Sequence, residues 1–367
     1  MPRIHDDHDL LEDDYDEVRP SRRGRNLSVA AKERIAEHSA GRVVQVDRGH
    51  VSVLYEGVEY LARFAGSMRG VKVVVGDRVR VKPPRHETDL ARVIQRLPRE
   101  TVLARTGDDD LEDERIVVAN ADQVVVVIGA DYLDGGVGFL ERVLVAASAG
   151  GLRGAVCVNK CDLAAAGSPD TAAVEGLLAR YAAIGVAGVA VSAHTGEGLE
   201  ALRELLAGRW SAFAGHSGVG KTSLFNQLVP GVDREVGDIG RRGGRHTTVA
   251  ARAEHVADID AWLVDTPGIR SFGLGGLAPE DLADHFTELA GLDREVRQAI
   301  EAGGEPPASV TIDPVRLRTF RRFLAALRGD EPWDDFDDGR SDGGSGGLVG
   351  DGREGDGSAP GGVEGEQ

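Results

Sequence analysis

Cysteine is nearly absent: among 367 residues only Cys157 and Cys161 carry a thiol. Two closely spaced thiols cannot form a disulfide framework, and such low usage points to a reducing compartment. Aromatic residues make up 5% of the chain, which leaves little material for extended base-stacking surfaces. No apolar run is long enough to span a bilayer, and the N-terminus is acidic rather than a charged-then-apolar signal. A soluble, cytoplasmic protein with no membrane partner is expected. What the chain does have is length for two or three domains and enough apolar content for real cores.

Charge is plentiful but unevenly placed. The formal net charge is −18, yet residues 41–105 hold 13 Lys/Arg against 7 Asp/Glu. A basic module inside an acidic protein points to a face that meets a polyanion. Residues 1–38 begin with an acidic run (Asp6 to Glu17) followed by Arg19, Arg22, Arg23 and Arg25, and they read as a disordered arm. Residues 331–367 are dominated by Gly, Asp, Glu and Ser and read as a disordered acidic tail.

Between the two ends the patterning changes twice. Over 39–100 short runs such as Arg42 to Val46, Val51 to Tyr55, Val58 to Ala62, Val71 to Val75, Val79 to Val81 and Ala91 to Ile94 are separated by turn residues. That spacing predicts a small OB-like β-barrel. Arg78, Arg80 and Lys82 give it a basic strand suited to RNA phosphates. Over 101–276 apolar runs alternate with helical spacing: Gln123 to Ile128, a helix from Phe139 to Ala149, Ala155 to Val158, a helix from Ala172 to Ile184, Val186 to Val191 and a helix from Leu199 to Leu206. Continuous apolar strands alternating with helices predict a doubly wound α/β domain with its ligand beyond the strand ends. Residues 277–330 are helical in pattern, with Phe320, Phe323, Leu324 and Leu327 as an apolar stripe and Arg316, Arg318, Arg321, Arg322 and Arg328 along the same helix.

The chemistry lies in the loops of the α/β domain. Gly215-His216-Ser217-Gly218-Val219-Gly220-Lys221-Thr222 fits the phosphate-cradling pattern G-x-x-x-x-G-K-[ST], between a strand and a helix that continues through Ser223. Its amides would turn toward a polyphosphate, Lys221 would reach the outer phosphates, and the Thr222 hydroxyl would hold Mg²⁺. Asn159-Lys160-Cys161-Asp162 fits N-K-x-D. A carboxylate at Asp162 can accept both the ring N–H and the exocyclic amine of guanine, a donor pair adenine lacks. Asn159 would brace that loop and the stem of Lys160 would cover the base. Ser192-Ala193, at the end of the next strand, resembles the S-A element whose backbone meets the guanine oxygen.

Downstream, Asp265-Thr266-Pro267-Gly268 fits D-x-x-G, with Asp265 directed to Mg²⁺ and the Gly268 amide to the γ-phosphate. The intervening Gly243 to Thr248 is suited to a mobile switch, in which Thr247 or Thr248 would complete the Mg²⁺ shell. Ile269 stands where Ras-type enzymes place a water-orienting Gln, so His246 is the candidate for positioning water and Lys221 for stabilising charge.

The guanine-reading loops precede the phosphate loop, the reverse of small GTPases, which is a circular permutation of the G domain. A permuted G domain behind an OB-like barrel, with Glu114 to Gln123 at its start, resembles the RsgA (YjeQ) family from about Arg42 to about Gly276. The resemblance implies a Mg²⁺-dependent GTPase stimulated by the small ribosomal subunit and acting late in its maturation. It also implies partners in GTP/GDP and ribosomal RNA, and a monomer is expected. Ile269 is shared with that family. Its relatives carry a zinc site of three Cys and one His in the C-terminal domain; here no cysteine and only His285 follow Gly276, so no zinc is expected. Two alternatives stay open: a GTP-gated RNA-binding module with little hydrolysis, and a permuted GTPase acting on another RNA–protein particle.

Overall fold

A computed structural model describes residues 40–331 apart from 48, 85, 87, 88, 107–113, 165–168, 230, 232–250, 267–273 and 275. The arm expected at 1–38 and nearly all of the tail lie outside the described residues.

The barrel comprises β1 (Ala40–Asp47), β2 (His50–Tyr55), β3 (Val58–Phe64), β4 (Arg78–Lys82) and β5 (Ala91–Arg96). Strand order is β1-β2-β3-β5-β4, and β4 pairs back onto β1 to close the ring. Alternation drives closure: Val43, Val51, Val53, Val79, Val81 and Val93 point inward and are fully buried. One expected strand is absent. Over Val71–Val75 only Val75 pairs, through an isolated bridge to Val118 outside the barrel. The buried carboxylate of Asp77 accepts from the Val74 amide at 2.8 Å and from Arg99 Nε and Nη2 at 2.7 and 2.8 Å. This polar anchor holds the segment in a loop although its valines favour a strand.

A hairpin of β6 (Val102–Thr106) and β7 (Glu114–Ala119) leads into the α/β layer. That layer runs β8 (Gln123–Gly129), α1 (Leu133–Ala149), β9 (Arg153–Asn159), α2 (Pro169–Ala182), β10 (Ala187–Ala190), α3 (Leu199–Leu206), β11 (Trp210–Ala214), α4 (Lys221–Leu228), β12 (Arg252–Val256) and β13 (Ala261–Asp265). Strands β10-β9-β8-β11-β13 are parallel, with β12 antiparallel beside β13. All seven residues of β8 are buried, as its uninterrupted valines require of a central strand covered on both faces.

β12 also pairs with β1 at Gln45↔Arg252, so barrel and α/β sheet are continuous. At this seam the Arg42 guanidinium lies 3.4 Å from the centre of a Trp210 ring, and Trp210 stacks on Trp262 at 4.9 Å. Burial pushes the Arg42 guanidinium down to about 9, against the opposing pull of Asp122.

The C-terminal part follows as a 3₁₀ segment (Pro279–His285), α5 (Arg294–Glu301) and α6 (Pro314–Arg328). Asp313 caps α6 by accepting from the Val315 amide, Pro314 starts it, and Gly329 ends it in the left-handed conformation. Phe320, Phe323 and Leu324 bury against Leu282, Phe286 and Ile300, and Val145 of α1 joins the same cluster. Not all of the arginines along α6 lie on its solvated face. Arg316 is 3% exposed and bonded to Glu141 and Glu288; Arg321 donates to the Gly304 carbonyl, and Arg328 pairs with Glu301. The acidic partners of Arg316 and Arg328 come from elsewhere in the chain, which helix periodicity does not reveal.

Candidate functional site

Three loops converge beyond the C-terminal ends of the parallel strands. β9 ends at Asn159, β10 leads to Ser192-Ala193, and β11 leads into Gly215–Gly220. Asn159, 1% exposed, ties them together. Its Nδ2 donates to the Val219 carbonyl at 2.9 Å, and its Oδ1 accepts from the Ala193 amide at 3.0 Å. One side chain thus spans all three loops, with both amide ends satisfied.

The 159–162 loop has a defined shape. Lys160 adopts φ +65°, uncommon for a non-glycine residue. The Cys161 amide donates to the Val191 carbonyl at 3.1 Å. Ser192 Oγ donates to Asp162 Oδ1 at 2.6 Å and accepts from the amides of His194 and Thr195 at 3.2 and 3.0 Å. The hydroxyl thereby fixes the rotation of the Asp162 carboxylate. Cys161 donates its thiol to the Val158 carbonyl at 3.3 Å, and burial pushes that thiol up, which disfavours the reactive thiolate. Cys157 is fully buried in β9 and its thiol is likewise pushed up.

The phosphate-loop motif has the matching backbone. Gly218 and Gly220 sit at φ +85° and +92°, and Gly220 caps the N-terminus of α4. A Cβ on Gly220 would collide with Asn159 Nδ2, so glycine is required there by both conformation and space. Lys221, 8% exposed, donates from Nζ to the carbonyls of Gly215 and His216 at 2.5 and 2.8 Å. Burial lowers its pKa, and the nearby Asp265 carboxylate opposes that shift. The His216 ring lies against Phe139 of α1 at 4.2 Å between centroids. Ser217, Thr222 and Ser223 are at least partly exposed around the loop.

Asp265 ends β13, beside β11 in the register Phe213↔Asp265, and Thr266 Oγ1 donates to the Phe213 carbonyl at 2.5 Å. The start of the D-x-x-G segment is therefore pinned to the strand that feeds the phosphate loop. Gly268, His246, Thr247 and Thr248 lie outside the described residues. The Thr222 hydroxyl and Asp265 carboxylate are hard oxygen donors of the kind Mg²⁺ takes, and Asp265 is close enough to act on the Lys221 charge.

Sequence reasoning missed three contributors: Thr266, Phe139 and Asp131, whose Oδ2 accepts from Lys160 Nζ at 2.9 Å. Asp131 sits in the turn after β8, and no motif marks it. Only the pairing of β8 with β9 brings it beside the guanine-type loop.

Known proteins resemble this chain. The RsgA GTPase family model matches residues 96–275. The small ribosomal subunit biogenesis GTPase RsgA of Gemmatimonas aurantiaca is 38% identical over 295 residues, covering 73% of this chain and 93% of that one. The protein of the same name from Ectopseudomonas mendocina is 36% identical over 282 residues, 72% of this chain and 76% of its own. Among solved structures, YjeQ from Thermotoga maritima superposes with a TM-score of 0.61 at 28% identity, over 79% of this chain and 98% of that chain. YloQ, described as a circularly permuted GTPase, gives 0.57 at 20% identity, over 80% and 96%, and shares the fold. With guanine-type loops ahead of the phosphate loop and nearly the whole length of a curated relative matched, this chain belongs to the RsgA GTPase family of GTP-hydrolysing enzymes.

Proposed function

We propose that the protein binds GTP across the three converging loops, hydrolyses it to GDP and phosphate, and does so while assisting late maturation of the small ribosomal subunit. The observation that carries the nucleotide assignment is Asn159, which locks the N-K-x-D, S-A and phosphate loops into one frame. The subunit enters through the names of the relatives, small ribosomal subunit biogenesis GTPases.

In this reading Asp162 accepts from the guanine edge, held in rotation by Ser192. Asn159 keeps the base loop and the phosphate loop at fixed separation, and the Lys160 stem lies over the base. Lys221 exchanges two loop carbonyls for phosphate oxygens as nucleotide enters, and the loop amides with the dipole of α4 face the charge that builds in the transition state. Thr222 and Asp265, with Thr247 or Thr248, would hold Mg²⁺, which neutralises phosphate charge when bound. His246 orients the attacking water and the Gly268 amide senses the γ-phosphate. Between 277 and 330 there is His285 and no cysteine, so the reading includes no structural zinc.

The barrel supplies the ribosomal RNA contact. Arg63, Arg69, Lys72, Lys82 and Arg92 are exposed on it, whereas Arg78 is drawn into an ion pair with Glu100. Such contacts are phosphate-directed and weaken as salt rises.

GTP turnover measured with and without purified small subunits tests the proposal. Hydrolysis raised by small subunits and lost in Lys221→Ala is expected; equal, negligible rates in both conditions would refute it.

A further inference from the structure

We propose that Asp131 is a positioning residue of the guanine site, holding the Lys160 side chain as one wall of the base slot. The inference rests on the assignment of Asn159–Asp162 as the guanine-reading loop. β8 and β9 run in parallel with Gly129 opposite Asn159, so the turn after β8 lies beside Lys160. That turn, the 3₁₀ segment Ala130–Tyr132, presents Asp131 with its Oδ2 2.9 Å from Lys160 Nζ.

Two backbone features serve this contact. Lys160 has φ +65°, a left-handed conformation that determines where its side chain leaves the loop. Gly129 lies beneath the pair: a Cβ there would collide with Asp131 Oδ1 and stand 3.9 Å from Lys160 Cδ. A side chain at residue 129 would thus displace the carboxylate that anchors the lysine.

The pair is partly solvated, with side-chain exposures of 31% for Lys160 and 40% for Asp131, so as an ion pair it adds little to folding stability. Its effect is to select one arrangement of a four-carbon stem that otherwise samples many rotamers. A pre-positioned stem covers the face of the base, whereas Asp162 reads its edge. Asp131 therefore acts on affinity for any nucleotide whose base fills the slot, and not on the choice between guanine and a purine lacking the 2-amino group. It touches neither the phosphates nor the loop that carries Lys221.

The test measures binding of GDP and IDP, and the steady-state constants for GTP, in Asp131→Ala. Expected is a loss of roughly two- to fivefold in affinity, equal for GDP and IDP, with a matching rise in KM and kcat unchanged. In a Lys160→Met background, which keeps an unbranched stem without the ammonium, Asp131→Ala should have no further effect. Unchanged GDP affinity, a loss that differs between GDP and IDP, a fall in kcat, or an equal effect in the Lys160→Met background would each overturn the proposal. Asp162→Asn serves as the separate control. It replaces a carboxylate acceptor with an amide that can donate to the 2-oxo group of xanthine, so XDP should displace GDP in preference. If that exchange fails, the guanine-site assignment falls whatever Asp131 does; if it succeeds while Asp131→Ala is silent, only the positioning role falls.

Discussion

Arg316 on α6 donates from Nη1 to Glu141 Oε2 on α1 at 2.6 Å, with the two side chains 3% and 0% exposed. Glu141 also accepts from the Tyr181 hydroxyl at 2.7 Å, and Arg316 Nη2 donates to Glu288 Oε2 at 2.9 Å. The arginine therefore lies between one carboxylate of the α/β layer and one of the C-terminal part, and it fastens the two together. Glu141 is two residues from Phe139, whose ring meets His216 in the phosphate loop. A single helix, α1, thus touches both the C-terminal docking point and the nucleotide site.

Removing Arg316 leaves two carboxylates buried without their cation. Arg316→Ala is expected to lower stability by about 3–5 kcal/mol, the usual cost of breaking a buried pair from one side. Arg316→Met combined with Glu141→Leu should cost less than the sum of the two single changes, because Glu141 then leaves no buried charge and only Glu288 loses its cation. Urea denaturation of Arg316→Ala, the two single changes and their combination measures both points. Additive losses would show that the pair is not coupled.

Asn159 makes two loop-spanning hydrogen bonds, each worth about 1 kcal/mol net. Asn159→Ala should weaken GTP and GDP binding by about 2 kcal/mol, roughly 30-fold. Because the lost frame joins the base loop to the phosphate loop, both nucleotides should suffer alike. Equilibrium titration with a fluorescent GDP analogue, followed by displacement with GTP, checks this.

The parts of this fold that were legible in the sequence were those decided locally. The valines of β8 announce a strand buried on both sides, and Gly218, Gly220 and Lys221 mark a loop whose backbone geometry few other residues can adopt. What was not legible depends on partners distant along the chain. Val71–Val75 has strand composition, yet Asp77 and Arg99 hold it as a loop. Arg316 looks like one more surface cation until Glu141, 175 positions earlier, is brought against it. β12 is short and polar, and only its two neighbours β1 and β13 make it a strand. Asp131 is invisible for the same reason, since strand pairing alone brings it to Lys160.

Gly220 offers a stricter test of the loop geometry. Its φ of +92° is unfavourable for alanine, and the added methyl would meet Asn159 Nδ2. Strain of about 1–2 kcal/mol and disruption of Asn159 contacts worth a similar amount should together weaken nucleotide binding by about two orders of magnitude. The collision lies between surface loops at the strand ends, away from the cores, so the thermal transition of the nucleotide-free protein should move far less than that of the GDP complex. A Gly220→Ala protein that binds GDP normally would contradict the described loop.

Lys221 ties nucleotide binding to proton uptake. Burial lowers its pKa from the ordinary 10.5, so the nucleotide-free protein holds this proton less tightly than the unfolded chain does. Between the lowered value and 10.5 the unfolded state binds more protons, and this group makes stability rise with pH there; the gain is lost as pH falls through the lowered value. A bound polyphosphate reverses the preference by favouring the ammonium form. GDP binding in the alkaline range between the lowered value and the ordinary 10.5 should therefore draw a proton from solution, and affinity should fall as pH rises further. Calorimetric titration in two buffers of different ionisation enthalpy reads the uptake directly. Lys221→Met should bind weakly and without the buffer-dependent heat. If wild type and Lys221→Met show the same proton uptake, the lysine is not the titrating group.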